Sequence, residues 1–194
     1  KKVENIGDQL KGYTEKLVFS YADIAAYKKV KANLQSNGVN YHEWCEEDMV
    51  QFASALSSLN KKWNYVLATC GEKINIEKYG IMHNKCIDDD LIIKLAYHDD
   101  SLMDFLGIRI ENSGLWTPDN AIEVAPGLIA VKTKKNKDSG QRAFCGCIGS
   151  KDIGEYNTCP HQCEYCYANT SKIVAINNWK RHQSNPISET IVGL

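Results

Sequence analysis

No stretch of about 18 consecutive apolar residues occurs in the 194-residue chain, so the sequence offers no membrane-spanning helix. Nor is there an excess of charge of either sign. With 23 Lys and Arg against 24 Asp and Glu, the net charge of −1 supplies no global basic field to draw nucleic acid. Internal repeats and low-complexity tracts are lacking, which argues against a repeat array. The opening Lys1-Lys2-Val3-Glu4-Asn5 has no initiating methionine and leads into no apolar signal segment, so the sequence reads as a piece of a longer protein. What is present is a 43% hydrophobic composition, too rich for a disordered tail and sufficient at this length for a globular core. So are eight cysteines.

The charge is unevenly spread. Residues 131–194 carry nine Lys and Arg against five acids, a local excess of four positive charges, which suits either a surface for an anionic ligand or a solvated face.

Apolar spacing gives the elements. Val3, Ile6 and Leu10 recur at helical spacing before Gly12. Leu17-Val18-Phe19-Ser20-Tyr21-Ala22 reads as a buried strand, and Ile24, Tyr27, Val30 and Leu34 as a helix closed by Asn37-Gly38. Met49, Phe52, Ala53, Leu56 and Leu59 form a stronger stripe behind the acidic turn Glu46-Glu47-Asp48. It leads into a second buried strand, Tyr65-Val66-Leu67-Ala68-Thr69. Asp88 is placed to cap a helix through Leu91, Ile92 and Leu95. Such alternation is the rhythm of a parallel α/β layer, whose strands need crossover helices. The expected fold class is therefore α/β, with residues 1–98 a partial (β/α) barrel-like domain built on a parallel sheet. Residues 99–144 read as an irregular connecting region, broken by Gly107, Gly114, Pro118, Pro126 and Gly127. Residues 145–194 read as a C-terminal cysteine-rich extension, with a final helix starting near Thr170-Ser171 and carrying Ile173, Val174, Ile176 and Trp179.

The chemistry lies in the cysteines. Cys159-Pro-His-Gln-Cys163-Glu-Tyr-Cys166 has the spacing C-x-x-x-C-x-x-C, and the count of three is informative. A cubane four-iron four-sulfur (4Fe-4S) cluster has four irons. Three thiolates on one loop hold three of them and leave the fourth open to a small chelating molecule, where a fourth cysteine would close it. Cys70, at the end of a predicted strand, Cys86, and the pair Cys145-Gly-Cys147 number four more. They are the complement of a closed second cluster or of a structural zinc. Cys45, four residues before Met49, falls on the apolar stripe and reads as a small buried hydrophobe.

The three-cysteine loop resembles that of the radical S-adenosylmethionine enzymes. The resemblance implies that Cys159, Cys163 and Cys166 hold the cluster, with S-adenosylmethionine on its open iron. One electron then releases a 5′-deoxyadenosyl radical that abstracts hydrogen from a substrate. By the same resemblance Tyr165 takes the place of the aromatic packed near the adenine, and Glu72, in Cys70-Gly71-Glu72, is the nearest counterpart of the residue that binds the methionine amino group. A wider set of residues is similar to a family. Gly140-Gln-Arg-Ala-Phe-Cys145-Gly-Cys147, Ser150-Lys-Asp-Ile-Gly154 and the run from Tyr156 through Asn169 look like the C-terminal signature of the bacterial domain-of-unknown-function family 1848. Lys78-Tyr-Gly-Ile81, Cys86-Ile-Asp88 and Gly12-Tyr-Thr-Glu-Lys16 are similar to it too. No reaction is assigned to that family, so the resemblance implies a cofactor class rather than a substrate.

Other readings stay open at this point. Cys163-x-x-Cys166 with Cys145-x-Cys147 could bind zinc as a non-catalytic clasp, and a closed cluster could serve electron transfer or redox sensing without an organic substrate. A disulfide scaffold fits less well, since three cysteines within eight residues suit a metal better. His161 lies inside the loop and could ligate or tune the metal, or simply be solvated. Asp88-Asp89-Asp90 resembles a metal box but stands at a helix start, where acids complement the dipole. The expected cofactors are a 4Fe-4S cluster, two if the second cysteine group is filled, and S-adenosylmethionine. The expected partners are an unidentified substrate and an electron donor. Neither membrane nor nucleic acid is indicated, and a thiolate cluster's need for reducing conditions points to the cytoplasm.

Overall fold

In the computed structural model, which describes residues 1–192, Leu67, Ala68 and Thr69 are buried in succession rather than alternately. Continuous burial suits the centre of a parallel sheet covered on both faces. Their strand, β2 (Val66–Cys70), lies between β1 (Lys16–Phe19) and β3 (Ile81–Asn84), and both neighbours run parallel to it. The sheet is mixed with helices as expected, yet it stays an open arc of three strands. Among the described residues it closes no barrel.

Two compact units divide the chain. The first comprises Lys1–Ser20 and Val50–Ser150, and the second comprises Tyr21–Met49 and the segment from Lys151 onward. In the first unit, α1 (Lys2–Leu10) and the stripe of α3 (Glu46–Asn60) accompany the parallel sheet. Ala53, Leu56, Trp63, Tyr65, Leu67, Ile76 and Ile81 form one core cluster. Phe19 meets Phe52 edge to face at 5.3 Å, a geometry the ring quadrupoles favour. Gly7 lets α1 approach the Trp63 ring, whose Nε1 donates to Asp8 at 2.7 Å, while the Tyr65 hydroxyl donates to the Gly7 carbonyl at 2.8 Å.

The same unit holds a second core of Ile93, Met103, Leu106, Ile108, Ala130 and Ile148. It packs α4 (Asp89–Ala96) and α5 (Asp100–Leu106) with an antiparallel sheet, β4 (Ile108–Asn112), β5 (Ile122–Ala125) and β6 (Leu128–Lys132), in the order β4-β6-β5. This sheet stands where an irregular connection was expected. Pro126-Gly127 is the turn of a hairpin, with Gly127 at φ +76°, so residues read as breakers are the joint between paired strands.

Asp88 caps α4 as anticipated, its Oδ1 accepting from the Asp90 and Leu91 amides. The buried face is different from the one expected: Ile93 is fully buried, whereas Leu91 and Leu95 are exposed. β1 ends three residues early, and β3 went unanticipated because it is only four residues long. α2 (Lys28–Ser36) begins after Tyr27, which precedes the helix rather than lying within it.

In the second unit Ile24, Val30 and Leu34 form a small core with Tyr41. α6 (Lys172–Ser184) starts where the sequence places it, capped by Ser171. Its buried residue is Ala175, while Ile173 and Val174 are exposed. Among the described residues no helix is long and apolar enough to cross a membrane.

Candidate metal centres

Parallel pairing of β2 with β3 puts Cys70 opposite Asn84, so Cys70 and Cys86, two residues beyond Asn84, emerge at the same end of neighbouring strands. Their sulfurs lie 2.9 Å apart. Cys145 and Cys147 reach this end from the loop after β6. An antiparallel bridge between Lys137 and Ile148 fixes that loop, and the Ile148 amide donates to the Ile87 carbonyl at 3.2 Å. The amides of Cys86 and Ile87 both donate to the Cys147 sulfur, at 3.1 and 3.4 Å. Four cysteines separated by up to 77 positions in sequence thus share one sheet end.

The electrostatics divide these sulfurs. Burial raises the Cys70 thiol, and the hydrogen bond and charge of Cys86 with the charges of Cys147 and Cys145 push it to about 12. Burial likewise holds Cys145 above the ordinary thiol value. For Cys147 burial also acts upward, but the Ile87 amide, the Cys145 thiol and the Cys86 amide and thiol outweigh it and bring the group below 9.0. These surroundings favour the charged form at Cys147 more than at Cys70 and Cys145. Negative charge gathered on sulfurs this close is compensated when they ligate a metal cation.

A cation and the stem of a lysine flank the group. The Arg142 guanidinium lies against Gly71, whose φ of +67° and missing Cβ leave room for it. Lys85 runs its aliphatic stem over Gly146 and carries its ammonium to Asp89 and Asp90 at 2.8 and 2.6 Å. Those carboxylates also bind Lys132, at 2.6 and 2.5 Å. Asp88, Asp89 and Asp90 are the one set, among the described residues, of three or more potential metal ligands all within 4.8 Å of one another. Their hydrogen bonds are already taken by a helix cap and two lysines. No three of the cysteine sulfurs form so tight a group.

The second unit carries Cys159, Cys163 and Cys166 on one irregular loop, all unbridged, the first two exposed and the third half-buried. Asn157 closes the loop. Its Oδ1 accepts from the Thr170 amide and hydroxyl at 2.5 and 2.7 Å and from the Ser171 amide at 3.3 Å. Asn178 donates to its carbonyl, and Asn157 itself holds a left-handed φ of +61°. Inside the loop the buried Asn169 donates its side-chain amide to the Cys159 carbonyl at 2.8 Å and its backbone amide to the Cys166 sulfur at 3.4 Å. Asn169 Oδ1 has no partner. A cleft of about 210 Å³ is lined by Cys163, Cys166, Asn169, Asn33, Asn37 and Lys172.

The family profile described as a domain of unknown function, DUF1848, matches residues 1–168. The chain belongs to the DUF1848 family. No curated protein and no solved structure matches it. The DUF1848 span takes in all eight cysteines and Asn157, and ends one residue before Asn169.

Of the remaining anticipated residues, Tyr165 stands exposed between Cys163 and Cys166, while Glu72 is buried in the first unit, two residues beyond Cys70. His161 is exposed on the loop. Cys45 is a correction. It is exposed, and it precedes α3 with its carbonyl accepting from the Met49 amide and its thiol donating to Asp48 Oδ2 at 3.1 Å. A residue at a helix start points off the helix end, so sequence periodicity placed it on a stripe it does not join. Asn157, Asn169 and Arg142 had no role assigned from sequence. The asparagines bracketing the cysteine run were the available signal.

Proposed function

We propose that this protein is an iron–sulfur enzyme of the radical S-adenosylmethionine type, with Cys159, Cys163 and Cys166 as the ligands of a 4Fe-4S cluster that keeps one iron open. The observation that carries the reading is the loop itself. Three unbridged thiols on one short segment, clamped at its ends by Asn157 and Asn169, are a soft donor set suited to iron–sulfur ligation and one short of closing it. A cluster bound there supplies one electron for reductive cleavage of a sulfonium. The chain's own contribution is positional. Asn157 holds the loop closed, the Asn169 amide faces the Cys166 sulfur, and the exposed Tyr165 stands beside Cys166, where the resemblance puts an aromatic near the adenine.

On this reading the three parallel strands are an arc of a (β/α) barrel carrying a cysteine-rich extension, and the protein works in the reducing cytoplasm with an electron donor. The substrate class is unassigned. The test is anaerobic reconstitution with iron and sulfide, followed by dithionite and S-adenosylmethionine. Formation of 5′-deoxyadenosine, abolished by Cys163→Ser, is the expected result. A reconstituted cluster that yields none would make the protein an electron carrier, and one zinc without acid-labile sulfide would make the loop a structural clasp.

A further inference from the structure

We infer that Cys70, Cys86, Cys145 and Cys147 hold a second iron–sulfur centre in the first unit, closed by four thiolates and separate in its ligands from the three-cysteine loop. Topology is the first support. Two parallel neighbours deliver Cys70 and Cys86 to one sheet end, and a loop pinned by the Lys137–Ile148 bridge brings Cys145 and Cys147 to it.

The surroundings suit an anionic sulfur group. Two consecutive amides, of Cys86 and Ile87, point at the Cys147 sulfur, and Asn84 offers its side-chain amide to the Cys86 sulfur at 3.7 Å. Hydrogen bonds to sulfur are a means by which proteins stabilise bound clusters. Arg142 at Gly71 adds positive charge beside Cys70. The fully buried Thr69 hydroxyl, on the strand residue before Cys70, has no hydrogen-bond partner and is a donor a sulfur could accept from.

The spread of the sulfurs decides between one ion and a cluster. A tetrahedral zinc with bonds of about 2.3 Å draws its sulfurs to within about 3.8 Å of one another. Here no three sulfurs lie within 4.8 Å of each other, although Cys70 and Cys86 are in contact. Four neighbouring sulfurs too extended to close on one tetrahedral ion match a polynuclear centre better than a single ion. With four cysteine ligands no iron is left open, so this centre binds no substrate. It ties the ends of β2 and β3 to the loop that follows β6.

The experiment uses the full chain with the loop ligands removed, Cys159→Ser/Cys163→Ser/Cys166→Ser, reconstituted anaerobically with ferrous iron and sulfide. The expected result is retention of iron and acid-labile sulfide in equal amounts. Adding Cys86→Ser, at an exposed position that need not disturb folding, should remove both while circular dichroism is unchanged; Cys70→Ser provides an independent second variant. The inference is overturned if the triple variant binds no iron, if it binds a single zinc without sulfide, or if neither further substitution reduces its iron. The two readings fail separately. A wild-type chain that loads more iron than an empty triple variant sinks this inference alone, whereas a triple variant equal to wild type sinks the loop cluster alone.

Discussion

Asn157 shows how much structure one side chain can carry. Its Oδ1 takes three hydrogen bonds from residues 13 and 14 positions away, and its backbone sits in the left-handed region that asparagine tolerates better than most residues. Asn157→Ala removes the acceptor and strains the backbone, and should lower stability by about 2–3 kcal/mol in denaturant titration. Asn157→Gly keeps the backbone relaxed, so it should lose less. Equal losses would show that the side-chain bonds alone matter. Gly7 makes a steric case. A Cβ built there meets the Trp63 ring at 2.5 to 2.7 Å, so Gly7→Ala should cost about 1–3 kcal/mol, read as a lower urea midpoint. At this scale the C-x-x-x-C-x-x-C run was legible as a motif, because its spacing is local in sequence. Asn157 was not, since its bonds join segments that only folding brings together. Cys45 misled, because a position just before a helix and a position on its stripe have the same spacing to Met49.

Elements were read well where one periodicity ran long. The stripe of α3 and the buried run of β2 were both visible in the sequence. β3 is four residues long, too short to declare a period, and β4 to β6 hide between turn residues that signal breaks rather than hairpins. α4 was found and then turned the wrong way, for the ion network around Asp89 and Asp90 helps set which face is buried. In Asp89 and Asp90 burial acts to raise each carboxyl, but the hydrogen bonds and charges of Lys132 and Lys85 outweigh it and hold both below the usual 3.8. A carboxylate with a depressed folded value adds stability that is fully present above its unfolded pKa of about 3.9 and is lost as pH falls through the folded one. The urea midpoint should therefore drop most steeply below pH 3.8. Lys132→Met leaves Asp89 with Lys85 alone, so the loss should begin at higher pH. At neutral pH the variant should be less stable by about 1–3 kcal/mol, less than for a fully orphaned buried charge. An unchanged acid profile in this variant would remove Lys132 from the account.

For the molecule as a whole, each unit is built from two separated stretches, so no single cut isolates the second one. Ending the chain at Ser150 keeps both stretches of the first unit but leaves Tyr21–Met49 without α6 or the cysteine loop. Lys29 then loses the Tyr167 carbonyl and Asn37 loses Glu164. Amide exchange should stay slow around Leu67 and Ile93 and become fast around Val30 and Leu34. Uniformly fast exchange would show that the first unit depends on the second for its stability. This division was not legible from sequence. Composition changes near residue 99 suggest a boundary there, but the contacts that define a unit link residues from opposite ends of the chain.

That arrangement also bears on how the protein is made. Residues 50–150 are translated between the two stretches of the second unit. At roughly 5–20 residues per second, Ile24, Val30 and Leu34 leave the ribosome some 6–28 seconds before the cysteine loop does. For that interval this small core waits on the nascent chain without the Tyr167 carbonyl and Glu164 carboxylate that later hold Lys29 and Asn37, and a holding chaperone acting at that stage would raise the yield of folded protein.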